Sequence, residues 1–575
     1  MQELEKKLNK RERYKARMRP YDYFEQFETL DFESLSEGDR FYLQDFGIFT
    51  TDFLEDEFTI RLRVPAGRLS AGQFTSIAGV ATKYNLHIIL TARGGIQLHG
   101  IEAYNILDIF KTINSLGLTS WQSFGDNIRN IVTDVYDGRG KYSEIEVYPI
   151  IMQMQEYILK NPRYVGMLPR RVSIGISGNH ANVTSFFAND IYFALAKKSK
   201  TLGFNVFMGG KNTDIAQDAD IFLLPDEVFD FFKAFVEAFY LHGSRFSRSK
   251  TRLIYLIEDI GIDKLKEHIQ VEYAGKLQSV GKLLLEKKEF SVHETLKDGT
   301  YSFCYQTDFA RVNADEIKQI SEYATKHNAE IRIGIDQNIY LLGVQNNAVP
   351  FKSPKESATV LACAGNLCPY SFWSIKNETS YLPLTKINEH SIHVGFSGCA
   401  KGCGRHRHTD IGLIGLKTNY FGDTQGGTRV FIGAEHSDGT SVGRMLFPMV
   451  PLEHLHKVLT LVISIFEQSG YKYFEDFSRH ILNKYSEKFL AMWFLANLQT
   501  SQSMSLQANT NIKVNTKENF EYEKKLLKKY FSTSDFLDLI DDDFSNAINV
   551  ISKKLWTIQG KDPHYKPPIK RVVFR

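Results

Sequence analysis

The apolar positions of this chain follow a few recurring patterns, and the patterns themselves repeat. Residues 68–101, RLSAGQFTSIAGVATKYNLHIILTARGGIQLHGI, place apolar side chains first at helical spacing and then in two short runs around a turn. That arrangement predicts an amphipathic helix, a strand, a turn and a second strand. Residues 311–344, RVNADEIKQISEYATKHNAEIRIGIDQNIYLLGV, align on them without a gap at an offset of 243. Arg68 then meets Arg311, Ala81-Thr82-Lys83 meets Ala324-Thr325-Lys326, Asn85 meets Asn328 and Gly100 meets Gly343. A second register, at offset 220, sets Ile174-Gly175-Ile176-Ser177-Gly178 on Val394-Gly395-Phe396-Ser397-Gly398 and Asp190-Ile191 on Asp410-Ile411. Soon after come Val206-Phe207-Met208-Gly209-Gly210 and Val430-Phe431-Ile432-Gly433. The chain therefore reads as a duplication over about residues 50–480, each half a small helix-on-sheet unit followed by a larger α/β unit. Past residue 498 the pattern stops. Residues 499–517 are rich in Gln, Ser, Thr and Asn and read as a linker, and 518–556 as two helices, with Ser532-Thr533-Ser534-Asp535 as a start signal. The tail HYKPPIKRVVFR (564–575) reads as a basic, solvated terminus.

The differences between the copies carry more information than the likenesses. Where the second copy has Cys399 and Cys403, the first has Asn179 and Val183; where the first has Arg93, the second has Asp336. One half has kept cysteines and the other basic residues, as expected of a pseudo-twofold molecule with a site between its halves. The composition narrows the choice further. With 43% hydrophobic residues and a net charge of +3 in 575 residues, nothing marks nucleic acid as a partner. No apolar run approaches the ~20 residues that span a bilayer. Met1 to Arg19 is packed with Lys, Arg and Glu, unlike a secretory signal, so a cytoplasmic location is expected.

The five cysteines are Cys304, Cys363, Cys368, Cys399 and Cys403, an odd count that argues against a disulfide framework. Cys304 lies on an expected strand and reads as a small buried hydrophobe. The other four form a C-x4-C and a C-x3-C pair that could gather round one metal centre. Zinc competes for any such set. In Gly398-Cys399-Ala400-Lys401-Gly402-Cys403-Gly404, directly after an expected strand at 392–396, the glycines let backbone come close and aim amide N–H groups at sulfur. That surrounding favours an iron–sulfur cluster over zinc. Arginines collect beside glycines in the first half: Arg63 in RLRVPAG, Arg93 in TARGGIQLHG, Arg129 in GDNIRN, and Arg170-Arg171 in LPRRVSIG. Singly each reads as a solvated residue; together they suit the binding of anions. No G-x-G-x-x-G sits between a strand and a helix, so neither NAD(P)H nor flavin is expected and electrons must come from a partner.

The run GCAKGCGRHRHTDIGLIG (398–415) resembles the cluster-binding signature of the nitrite and sulfite reductase hemoprotein family, and ACAGNLCPYSF (362–372) resembles its partner motif. The resemblance spans about residues 40–480, the duplication included. It implies an α+β / α/β pseudo-twofold fold in which two ferredoxin-like half-domains and two larger α/β domains enclose a siroheme–[4Fe–4S] site. The implied segments are an N-terminal extension (1–50), a first half-domain (51–135), a first siroheme- and anion-binding α/β domain (136–290), a second half-domain (291–355), the [4Fe–4S]/siroheme-binding α/β domain (356–498), and a linker with a helical extension (499–575). By the same resemblance Cys363, Cys368, Cys399 and Cys403 ligate a [4Fe–4S] cluster, and Cys403 also bridges to the siroheme iron. Arg63, Arg129, Arg171 and Ser173 fall where the family binds its anion. Arg93, Arg170 and the Gly209-Gly210-Lys211 loop would face the siroheme carboxylates, with Arg248, Lys250 and Arg252 as weaker candidates or simply the wet face of a helix.

Two departures stand out. The family's first cysteine pair is usually C-x5-C, and it has lysine where Arg171 stands and lysine or asparagine where Ser173 stands. Lysine can release a proton, whereas arginine, with a pKa above ~12, holds its own. Arg171 would then orient the anion while ordered water, positioned by Ser173, carries protons. The implied activity is a six-electron reduction, with sulfite to sulfide put first, nitrite to ammonium as the alternative, and a non-catalytic four-cysteine zinc protein as the remote one. The donor would be ferredoxin or a separate flavoprotein, with neither nucleic acid nor membrane as a partner.

Overall fold

A computed structural model describes residues 8–51, 54–287, 291–345, 349–353, 359–419, 425–507, 513–532, 534–541 and 543–556. Thr533 and the basic tail lie outside them. The chain divides into two compact units, Met1–Ala358 with Ser437–Gly439, and Thr359–His436 with Thr440–Arg575.

In the first unit both copies of the repeat at offset 243 fold alike, for legible reasons. The helices Ala71–Lys83 and Ala314–His327 each open with a capping box, Ser70 with Gln73 and Asn313 with Glu316. Each buries the same positions: Phe74, Ile77, Ala78 and Ala81 in one, Ile317, Ile320, Ser321 and Ala324 in the other. Asn85 and Asn328, matched in sequence, both take left-handed backbone after the helix, at φ 53° and 50°, a conformation asparagine tolerates.

The sheets are less self-contained than the segment boundaries imply. One runs Ile48–Thr51, Leu54–Leu62, Ile96–Glu102, His87–Leu90 and ends on Arg311–Val312 from the second copy. The other runs His293–Thr295, Tyr301–Tyr305, Ile339–Val344, Glu330–Ile333 and ends on Arg68–Leu69 from the first. The exchange is reciprocal, with Val312 opposite Ile88 and Leu69 opposite Ile331. Each half-domain thus covers an edge the other would leave unpaired, and one apolar core, containing Phe74, Leu98, Ile317 and Leu341, runs through both.

The larger α/β part of this unit has Ile174–Ser177 parallel to Ile191–Lys198, followed by antiparallel Thr201–Met208 and Gln217–Leu223, with Lys282–Leu283 on the other side of Ile191–Lys198. In the second unit Val360–Ala362, Val394–Ser397 and Ile411–Thr418 are parallel neighbours, followed by antiparallel Gln425–Ile432 and Arg444–Pro451. The two sheets share a register: Ile174 faces Ile191 as Val394 faces Ile411, each 220 residues on. Helix Glu487–Thr500 is buried along nearly its whole length. Its Trp493 packs on Tyr530 and Phe531, and Ser486 donates twice to the Glu523 carboxylate, so the C-terminal helices share this unit's core. Among the described residues no helix is long and apolar enough to cross a membrane.

Candidate functional site

In the second unit the parallel strands Val360–Ala362 and Val394–Ser397 end side by side, and their C-terminal loops carry all four paired cysteines. Cys363 follows the first strand, Cys368 closes the single turn Gly365–Leu367, and Cys399 and Cys403 lie on the loop after the second. Backbone amides point at sulfur as the glycines predict. Cys363 Sγ accepts from Gly365 N–H at 3.4 Å and Gly398 N–H at 3.2 Å, Cys368 from Tyr370 N–H and Cys399 from Lys401 N–H. A Cβ on Gly398 would stand 1.8 Å from Ser371 Oγ and 3.3 Å from Cys363 Sγ, so any larger residue would push Ser371 aside next to the thiol.

Burial, and then the neighbouring Cys403, push the Cys363 thiol up to about 12. Burial likewise pushes Cys368 up to about 11 and raises Cys399, with Cys403 adding to both. Such thiols ionise only against a positive partner, which is the chemistry of a metal centre. Cys403 is exposed, whereas the other three are half-buried.

The first copy closes the same loop without sulfur. Val132 pairs in parallel with Gly175 as Leu361 does with Gly395, which puts Asp134 where the second copy has Cys363. The Asp134 carboxylate accepts from Asn179 Nδ2 at 2.9 Å and from Val183 N–H at 2.6 Å, the residues that stand for Cys399 and Cys403.

The arginines of the first unit converge. Arg129 is buried, donating to Ser123 O at 2.8 Å and Gly125 O at 2.9 Å. Burial and the charges of Arg171, Arg61 and Arg93 depress its pKa well below the usual guanidinium range. Arg63 is 2% exposed and places its donors on Gln155 Oε1 and the carbonyls of Gln122, Ile128 and Arg129. Burial lowers it to about 9, so it stays cationic at neutral pH. Arg93 reaches Asn189 Oδ1 at 3.3 Å. Arg170 is pushed down to about 9 by burial and then by Arg248. Ser173 is fully buried: its hydroxyl donates to Asp190 Oδ2 at 2.7 Å and accepts the Asp190 N–H at 3.1 Å. Gly209 has φ +91°, and a Cβ on Gly210 would meet Asn189 O at 2.2 Å. Lys211 pairs with Asp214 at 3.0 Å and lies 4.3 Å over the Tyr255 ring.

Arg248 and Arg252 are no wet helix face. Arg248 grips both oxygens of buried Asp126, at 2.6 and 2.8 Å, and Arg252 grips Asp190 at 2.8 Å; Lys250 is exposed. Asp126 is held further by buried Lys15, at 2.9 Å, and Asn127 by Asp45. These carboxylates, and the N-terminal residues that support the Arg129 loop, escaped the sequence reading. Only the Asp190–Asp410 match signalled any of them.

A model of the "Nitrite and sulphite reductase 4Fe-4S domain" matches residues 124–277, the copy without the cysteine pairs, and one of the "Nitrite/Sulfite reductase ferredoxin-like half domain" matches 54–116. The chain is 26% identical over 489 residues to a ferredoxin–nitrite reductase of Synechococcus elongatus, covering 79% of this chain and 95% of that protein. It is 27% identical over 493 residues to one of Leptolyngbya laminosa (79% and 96%). It is 25% identical over 507 residues to the assimilatory ferredoxin-dependent nitrite reductase of Haloferax mediterranei (77% and 86%). The solved NirA protein of Mycobacterium tuberculosis shares the fold, with a TM-score of 0.73 at 21% identity over 82% of this chain and 96% of that one.

Proposed function

Because the chain belongs to the nitrite and sulfite reductase hemoprotein family, we propose that it reduces nitrite to ammonium with electrons from ferredoxin. It is an oxidoreductase of the assimilatory type whose cofactors are siroheme and a [4Fe–4S] cluster. Sulfite was the first expectation from the sequence; the chain's similarity to ferredoxin-dependent nitrite reductases favours nitrite. Nitrite takes up six electrons and eight protons to give ammonium and two waters.

The two cofactors supply one-electron chemistry. The chain's share is to bind, orient and protonate. Cys363, Cys368, Cys399 and Cys403 are proposed to hold the cluster, with the exposed Cys403 thiolate also available to siroheme. Arg93, Arg170 and the Gly209-Gly210-Lys211 loop are proposed to meet siroheme carboxylates.

The observation that carries the anion reading is the gathering of Arg171, Arg61 and Arg93 about Arg129, whose charges add to burial in depressing its pKa. An anion among them relieves that repulsion. Arg129 and Arg171 are proposed to bind it. Arg63, committed to the backbone of Ile128 and Arg129, holds the loop and adds positive potential. Ser173, with its hydroxyl committed to Asp190, is proposed to anchor the strand that presents Arg171. No guanidinium releases a proton at neutral pH, so protons arrive through water.

The test is steady-state turnover of the holoenzyme with nitrite and sulfite side by side, using electrochemically reduced viologen and then reduced ferredoxin. A kcat/KM for nitrite at least tenfold above that for sulfite is expected. The reverse order, or no turnover with ferredoxin, would overturn the proposal.

A further inference from the structure

At the opposite end of the second unit's sheet lies a second cluster of ligating side chains. His393 immediately precedes strand Val394–Ser397, Asp410 immediately precedes its parallel neighbour Ile411–Thr418, and His436 follows Gln425–Ile432. The cysteine loop leaves the other end of Val394–Ser397, about 13 Å away at strand rise. The carboxylate of Asp410 is almost fully buried, at 6% side-chain exposure, as is His436 at 8%. His393 Nδ1 stands 3.5 Å from Asp410 Oδ2, and His436 Nε2 stands 3.4 Å from Oδ1. One ligand atom from each of the three residues falls within 4.8 Å of the others.

We propose that His393, Asp410 and His436 form a site for one divalent transition-metal ion of the zinc type, separate from the cysteine centre. Three observations carry it. The two N···O gaps are long beside the ~2.7–3.2 Å of ordinary N–H···O hydrogen bonds, so the imidazoles hold the Asp410 carboxylate only by stretched hydrogen bonds. The gaps lie near the edge of about 3.4 Å expected between N and O ligands at ~2.1 Å from one ion, each measured to a different oxygen of Asp410, so the carboxylate would offer either one oxygen or both to the ion. Two imidazoles and a carboxylate, with room for a water, are the donor set such ions take.

The duplication supplies the third observation. Residues 173 and 190 correspond to 393 and 410, and in the first copy Asp190 is neutralised by the fixed cation of Arg252 at 2.8 Å. In the second copy the ion-pair partners of Asp410 are two imidazoles. Neutral imidazoles supply no charge, so a buried aspartate there wants either an imidazole proton or a cation. The Asp410 carboxylate also accepts the His393 N–H at 2.8 Å, which fixes its orientation as metal sites require.

The test uses the holoenzyme, incubated with zinc sulfate and desalted. Metal analysis is expected to find one zinc per chain beyond the iron. Zinc-edge X-ray absorption should give a shell of N and O at about 2.0–2.1 Å with no sulfur at about 2.3 Å. His393→Gln, His436→Gln and Asp410→Asn should each weaken zinc binding by more than the roughly 10–100-fold that outer-shell changes cost, with iron content and siroheme spectrum unchanged. Absence of stoichiometric zinc in the unsubstituted enzyme, or a sulfur shell, overturns the site without involving any variant. Unchanged affinity in folded variants does so too. The iron and siroheme readings report separately on the family assignment.

Discussion

The two copies of the larger α/β domain solve the same two structural problems with different chemistry. At the C-terminal edge of the parallel strands, the first copy closes its loop with Asp134, Asn179 and the Val183 amide, and the second puts Cys363, Cys399 and Cys403 in those places. At the N-terminal edge, the first balances Asp190 with Ser173 and Arg252, and the second sets His393 and His436 about Asp410. A shared register keeps each loop in place whatever it carries. The scaffold therefore lets one edge change from a hydrogen-bonded plug to a set of cysteines, the proposed metal ligands, without refolding, and function is then carried by those substitutions rather than by the fold.

The sharpest break of that comparison is at Cys403, the exposed thiol asked to serve both cofactors. Cys403→Ala should abolish siroheme ligation and turnover and leave the chain folded. The visible spectrum and activity check it. A variant with normal heme absorption and turnover would remove the shared thiolate.

The next effect is on stability. Asp190→Asn strands the Arg252 guanidinium beside a group that no longer compensates it, in a pair whose side chains are 1% and 11% exposed. Breaking a buried pair costs about 3–5 kcal/mol. Asp410→Asn in zinc-free enzyme strands no fixed cation and should cost only about 1–2 kcal/mol, since an amide oxygen still accepts the His393 N–H. Thermal melting of both variants decides; equal losses would mean that the two edges are not electrostatically different.

How far the sequence reached follows the same division between local and distant causes. The capping residues, the buried helix faces and the left-handed asparagines are all local, and the helix faces and the matched asparagines were visible in the repeat at offset 243, whereas the capping boxes and the left-handed backbone were not read from it. The exchange of Arg68–Leu69 and Arg311–Val312 was not, because a two-residue strand has no periodicity to read. Arg248 and Arg252 read as weak siroheme candidates or solvent-facing charges because their partners, Asp126 and Asp190, are 122 and 62 residues away. Asp134 escaped because the loops between the aligned segments differ in length, which takes it out of the gap-free register. The preference for sulfite had nothing local behind it, since Arg171 and Ser173 match neither form of the family's pattern.

Arg171 tests the anion cluster. Arg171→Ala removes a charged hydrogen-bond donor worth roughly 1.5–3 kcal/mol, so KM for nitrite should rise roughly ten- to hundredfold. Arg171→Lys keeps the charge and adds a group able to give up a proton, so it should recover most of the binding and shift the pH dependence of kcat. Unchanged KM and kcat for the alanine variant on both nitrite and sulfite would take Arg171 out of the site.

The smallest effect is expected at Cys304, and it too comes from comparing copies. Cys304 faces Tyr340 across its sheet as Arg61 faces Gln97, each pair 243 residues apart. One copy thus has a guanidinium of the basic cluster where the other has a thiol packed among Val135, Tyr136, Leu296 and Leu342. That thiol is fully buried, and burial pushes its pKa well above the usual range, so it stays protonated and is a poor ligand. Cys304→Ser should leave the iron content unchanged. It should cost about 1 kcal/mol, because the new hydroxyl is desolvated but can bond the Tyr340 hydroxyl beside it. Iron analysis and melting of the purified variant check both halves of the expectation. A loss of cluster iron would make Cys304 a ligand and reopen the assignment of the four paired cysteines.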